Sequence, residues 1–124
     1  MLTKQIELHF GKVFIHDNIL IAKLDEGILF DVASNNKLLE IGAEIFKGKD
    51  YGYISHRVNS YAVDPMVYME SAKTSNLKAI AVVSETSMTR RNAEVVEKKF
   101  YKDNNCFGVF QTLEEAVAWM NTRI

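Results

Sequence analysis

Apolar Ile6, Leu8 and Phe10 alternate with Glu7 and His9, the two-residue period of a strand with one solvated face. Gly11-Lys12 suits a tight turn, and Val13-Phe14-Ile15 then reads as a returning strand. Asp17-Asn18 gives a second turn signal ahead of Ile19-Leu20-Ile21-Ala22, whose denser apolar run predicts a more deeply buried strand. The chain therefore opens as an antiparallel meander.

Beyond it the period lengthens. Asp31 is placed to cap a helix carrying Val32, Leu38, Leu39, Ile41, Ala43, Ile45 and Phe46, with its last turn at Lys47 and Gly48 as the C-cap. Tyr51 to Ser55 reads as a strand. Asp64-Pro65 puts a capping carboxylate before a proline at the first helical position, and the helix after it shows Met66, Val67, Met69 and Ala72 before fading at Ser75-Asn76. Lys78-Ala79-Ile80-Ala81-Val82-Val83-Ser84 holds five apolar residues without alternation, which predicts a strand covered on both faces, at or near the centre of a sheet. Thr86 or Ser87 caps a third helix whose buried face would be Ala93, Val96 and Phe100, with Val95 beside them. Phe107 to Phe110 is a last strand. Thr112-Leu113-Glu114-Glu115 forms a capping box that starts a final helix with Ala116, Val117, Trp119 and Met120 inward.

The order is three strands, then four helices alternating with three more strands. Crossovers of this kind imply parallel pairing, so the expected fold is a single α/β domain over residues 1–124, with a mixed sheet and antiparallel strands at its front. A chain of 124 residues can bury roughly two thirds of its unfolded surface. Fifteen Lys and Arg against 16 Asp and Glu leave no global field to recruit nucleic acid or an anionic membrane. No apolar run approaches the length of a membrane span, and the first residues lead into an alternating strand rather than an apolar signal core. Cys106 is the only cysteine, which suits a reducing compartment; the expected location is cytoplasmic.

The element order, together with Tyr53-Ile54-Ser55-His56-Arg57-Val58-Asn59-Ser60-Tyr61 before Asp64-Pro65, resembles the SpoIIAA-like group of the STAS superfamily. Those are small α/β domains related in shape to anti-sigma-factor antagonists and, more loosely, to Sec14-type lipid-binding domains. The strand from Ala79 to Val83 and the ending from Phe110 to Trp119 resemble the same group. The resemblance covers nearly the whole chain. It implies a regulatory or binding module and no enzyme. Antagonists of that family carry an Asp-Ser-(Ser or Thr)-Gly-like stretch with a phosphorylated serine. The corresponding segment here, Arg57 to Asp64, lacks it, and Ser60 is the nearest hydroxyl.

Ligands of open α/β sheets bind where strands end. That rule gathers His56, Arg57, Asn59, Ser60 and Tyr61 with Ser84, Glu85, Thr86, Ser87, Arg90 and Arg91 at one loop edge. Arg90 and Arg91 fall in the first turns of a helix, where the macrodipole disfavours cations, a placement suited to an anion or acidic partner. His9, His16 and His56 show no metal-ligand spacing, and the glycines form no phosphate loop, so neither a metal nor a cofactor is expected. Ser60, His56 and Asp64 make a hydrolase trio on paper, without the nucleophile elbow that would support it. The expected occupant of the loop edge is a protein partner or a small anionic ligand. The alternative is an apolar-ligand or lipid carrier whose pocket is lined by Tyr51, Tyr53, Tyr61, Tyr68, Tyr101, Met66, Met69 and Met88.

Overall fold

A computed structural model describes residues 4–101 and 106–124, apart from the side chains of Tyr68, Glu70 and Ala72. Its sheet has six strands in the order β1-β2-β3-β5-β7-β8. Strands β1 (Lys4–Leu8), β2 (Gly11–His16) and β3 (Ile19–Leu24) form the antiparallel meander. Strands β5 (Tyr51–His56), β7 (Leu77–Val83) and β8 (Phe107–Phe110) then join in parallel with β3. This is the mixed α/β sheet that the alternation of elements predicts.

The helices are α1 (Val32–Phe46), α2 (Met66–Ala72), α3 (Ser87–Val95) and α4 (Leu113–Met120), with a 3₁₀ turn at Glu97–Phe100. Asp31 caps α1 by accepting from the Ser34 N–H at 2.9 Å. At its other end the left-handed position falls on Lys47, with φ of 50°, and Gly48 continues the turn rather than capping it. Thr112 and Glu115 form the reciprocal capping box of α4. The expected inward placement of Ala72 lies outside the described side chains.

Each crossover advances the sheet in the same direction, from β3 to β5 to β7 to β8. Parallel crossovers are right-handed, so α1, α2 and α3 must all pack on one face. Leu38, Ile41 and Phe46 of α1, Val67 of α2 and Ala93 of α3 accordingly share a core with Val13, Ile15, Leu20, Ile80 and Val82. Among the described residues only α4 covers the other face, where Ala116 and Met120 meet Ile19, Ile54, Ala79, Ala81 and Val83. Its seat is made by small residues. A side chain at Gly52 would overlap the Met120 sulfur, and one at Gly108 would meet Phe110 and Trp119. With Ala79 and Ala81 between them, these glycines let a helix approach β5, β7 and β8 closely.

Strand β7 is buried on both faces, as its unbroken apolar run requires, but it lies one strand in from the edge; β3 and β5 occupy the middle. Two further departures shape the surface at the ends of the strands. Short strands β4 (Leu29–Phe30) and β6 (Ala62–Val63) pair in parallel as a separate ribbon, too short to show a period in the sequence. Helix α3 also stops at Val95, so Val96 and Phe100 turn outward with Val95, leaving Ala93 as the buried residue of the expected stripe. Glu97 turns inward instead.

Ala81→Asp places a charge where exposure is zero, among apolar neighbours. It should destabilise the fold by at least about 3 kcal/mol. Glu7→Ala removes an exposed ion pair with Lys12 at 3.9 Å and should shift stability by less than about 0.5 kcal/mol. Urea denaturation of the two variants checks the contrast.

Candidate functional site

The carboxyl ends of β3 and β5 are tied together before any side chain is displayed. Asn59 donates from Nδ2 to the Leu24 carbonyl at 3.0 Å, and the Gly27 N–H donates to the Ser60 carbonyl at 2.8 Å. The β4–β6 ribbon continues this ladder through Ala62 N–H to Ile28 O and Asp64 N–H to Phe30 O. The crossover after β5 is therefore held as a platform.

Successive residues of a strand point to opposite faces, and the end of β5 uses both. Ser55 and Arg57 turn toward the three-helix face. The Arg57 guanidinium grips Glu97 in a bidentate pair, both N···O distances being 2.6 Å. The two side chains keep only 14% and 7% of their exposure, so the pair is largely withdrawn from water. Arg57 Nε also donates to Ser55 Oγ at 3.0 Å, and that oxygen lies 3.2 Å from the Tyr61 hydroxyl. The guanidinium sits 6.0 Å from the Tyr61 ring centroid, within cation–π range. Beneath this network, burial pushes the Tyr53 phenol well above its usual range, with Tyr61 adding to the effect and Arg57 opposing it, so Tyr53 stays neutral.

Above the pair opens a cleft of about 470 Å³ between the β5 crossover and α3. Arg57, Asn59, Ser60 and Tyr61 line one side, and Thr89, Asn92, Val96 and Glu97 the other. Thr89, Asn92 and Val96 recur at helical spacing and share one face of the α3 segment. The cleft thus collects four of the loop-edge residues expected from the sequence. It adds Glu97, which stands one helical turn after the buried Ala93 and so on the same side of the segment, unlike its exposed neighbour Glu94, but which its charge marks as a solvated residue.

The remaining expected residues go elsewhere. Ser84 is buried and fully engaged: its N–H donates to Phe110 O at 3.1 Å, its Oγ accepts from Thr86 N–H at 3.1 Å, and its carbonyl accepts from Arg90 Nη1 at 2.7 Å. Arg90 thereby ties α3 to the end of β7. Thr86 occupies the N-cap position without a side-chain capping bond, and Arg91 is exposed. Neither Arg90 nor Arg91 lines the cleft.

His56 faces the α4 side. There it borders a groove of about 640 Å³ between α4 and strands β2 and β3, separate from the cleft that Ser60 lines. Burial first, and then Lys23, hold the imidazole below its ordinary pKa, while Glu114 and Glu85 pull the other way.

Of the tyrosines and methionines named for an apolar pocket, Met69 and Tyr101 border a mainly apolar pocket of about 510 Å³ with Leu77, Ile80 and Phe100, and the others that are described lie elsewhere. Tyr51 stacks on Phe46 at 4.5 Å, and Tyr101 on Phe107 at 5.2 Å. Met66, Met69 and Met88 are exposed, and Tyr68 lies outside the described side chains. The chamber bordered by Tyr53, Tyr61 and Tyr101 measures about 30 Å³, room for one water and not for an acyl chain. Among the described residues no three His, Cys, Asp or Glu side chains converge as metal ligands, and no helix is long and apolar enough to cross a membrane. Comparison with protein-family models, curated proteins and solved structures gives no significant match.

Removing one partner of a withdrawn ion pair leaves the other charge uncompensated. Glu97→Leu or Arg57→Met alone should therefore destabilise by about 3–5 kcal/mol. The double variant should lose less than the sum, a coupling measurable by a double-mutant cycle in urea. A second expectation concerns acid. Because the folded state favours neutral His56, it binds fewer protons than the unfolded chain in the window just below the ordinary value of 6.5. The His56 contribution is complete above that value and is lost as pH falls through the folded pKa. Melting curves from pH 7 to pH 5 should decline less steeply in His56→Gln than in wild type.

Proposed function

We propose that this chain is a non-enzymatic, STAS-like binding module that engages a protein partner at the cleft between the β5 crossover and α3. The observation that carries this reading is the paired Arg57–Glu97 wall of the cleft. A guanidinium already matched by a carboxylate attracts a free anion weakly, and Arg90 is committed to the Ser84 carbonyl. What the cleft offers instead is hydrogen-bonding amide and hydroxyl groups on Asn59, Ser60, Tyr61, Thr89 and Asn92, with apolar Val63 and Val96. Val58, 60% exposed, adds apolar surface on the same crossover. A charge-compensated wall with an aromatic hydroxyl and scattered apolar contacts suits the backbone and side chains of a protein loop. The ladder from Gly27 to Asp64 holds these groups in place before binding, which lowers the entropy lost on association.

The STAS-like part of the reading is supported by the element order and by the stretch from Tyr53 to Tyr61, and the binding part by the cleft. Arg57 and Ser60 stand in the crossover where the resemblance puts the regulatory serine. Asp64, four residues further along the crossover, turns its Oδ1 to the Met66 N–H at 3.0 Å.

Two substitutions test the cleft without removing its ion pair. Tyr61→Ala removes the ring over Arg57, and Asn92→Arg projects a long cation from the exposed face of α3. Both folded variants should lose at least about tenfold in affinity for a partner captured by wild-type protein from its native cell, a loss near 1.4 kcal/mol. Glu40→Ala on α1, outside the cleft, should bind as wild type does. Full retention by Tyr61→Ala and Asn92→Arg, measured by titration with the purified partner, overturns this site.

A further inference from the structure

The groove on the opposite face has no part in the cleft and a different chemistry. Its floor is Phe14 and Ile21, side by side in the β2–β3 register, and its far wall is Leu113, Val117 and Ala118 of α4. It lies beside α4, which is seated on the glycines and alanines of β5, β7 and β8; Ile21 of β3 is buried in the cluster that α4 covers, and Phe14 of β2 is half-buried next to it. At about 640 Å³ it falls within the range of small-ligand sites.

Its polar groups are unevenly distributed. The sheet side carries Lys23, His56 and His16, the last with its Nε2 3.8 Å from the exposed Asp17 carboxylate outside the groove lining, whereas the helix side carries the exposed carboxylate of Glu114 and the amide of Asn121. The Lys23 ammonium is held 6.0 Å from the Phe14 ring centroid, so a cation stands directly beside the apolar floor. His56 is half-buried at the edge of the groove, with both Lys23 and Glu114 within electrostatic reach.

We propose that this groove is a binding site for a small amphipathic acid, a flat ring or short acyl group ending in a carboxylate. Its apolar body lies on Phe14, Ile21 and Val117, and its carboxylate pairs with Lys23 and accepts a hydrogen bond from His56. The opposite orientation, an amine toward Glu114, would expose its charge to solvent and set it across from Lys23. The site is independent of the proposed loop-edge function, since it shares no lining residue with the cleft.

Three probes of one shape decide the matter: 2-naphthoate, 2-naphthalenemethanol and 2-naphthylmethylamine, each titrated into the full chain by calorimetry and followed by amide chemical shifts. Naphthoate should bind at least tenfold more tightly than the other two and move the resonances of Ile21, Val117 and Ala118. Lys23→Gln should reduce naphthoate affinity about tenfold, corresponding to about 1.4 kcal/mol, and leave the alcohol unchanged. Ala118→Phe, at an exposed position of α4, should fill the groove and abolish binding of all three while the melting temperature holds. Equal affinities for the three probes, tighter binding of the amine, shifts confined to other residues or no binding of naphthoate would each overturn the proposal. So would an unchanged naphthoate affinity in Lys23→Gln.

Discussion

The handedness of three crossovers decides most of this molecule. Every parallel connection moves the sheet one strand further the same way, and each must be right-handed, so α1, α2 and α3 have no choice of face. Among the described residues, the sheet is left with three helices on one side and a single eight-residue helix on the other. One short helix cannot cover six strands. Small residues on β5, β7 and β8 draw α4 to that half, and the side chains of β2 and β3 border the groove beside it. Both candidate surfaces descend from this asymmetry: the cleft from α3 leaning over the end of β5, the groove from the helix that stands alone.

The buried ion pair belongs to the crowded side. Glu97 faces Arg57 at the point where α3 ends at Val95 and the 3₁₀ turn begins. In a continuous helix Glu97 would share the buried side of Ala93 with Val96 and Phe100; the break instead turns those two apolar residues outward and leaves the carboxylate facing Arg57. Withdrawing two charges from water is seldom a net gain in stability, but it makes any other partner for either group far worse. The pair thus fixes where α3 ends relative to β5, and with it the width of the cleft. Ser55 and Tyr61 extend the same network and restrict the rotamers that Arg57 can adopt.

Much of the fold is legible in the sequence because local chemistry and global packing agree. The Asp31 cap, the Thr112–Glu115 box and the two-sided run through Ala79 to Val83 each state a requirement that the structure meets. Three things are not legible, for separate reasons. The β4–β6 ribbon spans two residues per strand, shorter than any period that could announce it. The apolar run of β7 suggests the middle of the sheet, but burial on both faces requires only flanking layers and a neighbour on each side, which a next-to-edge strand also has. The stripe of Ala93, Val96 and Phe100 fits a helix of any length, and no proline or glycine marks the break. Of the loop-edge residues, Arg57, Asn59, Ser60 and Tyr61 converge because they share one crossover. Arg90 and Ser84 meet each other instead, since a guanidinium near a strand end finds the nearest carbonyl first.

His56 and Arg57 show how little sequence distance says about shared function. They are adjacent, yet the pleat sends one to the α4 groove and the other to the cleft. Each is surrounded by groups that suit its own face. Arg57 is matched by a carboxylate and a hydroxyl, so its charge organises the protein rather than recruiting a ligand. At His56 the influences oppose one another: burial and Lys23 keep it neutral while two acids favour its proton, a balance that an added charge can tip. The end of β5 is thus one rigid strand with two chemically distinct outlets. The outlet with compensated charge is suited to a protein surface, and the one that sets Lys23 and His56 beside an apolar floor is suited to a small acid.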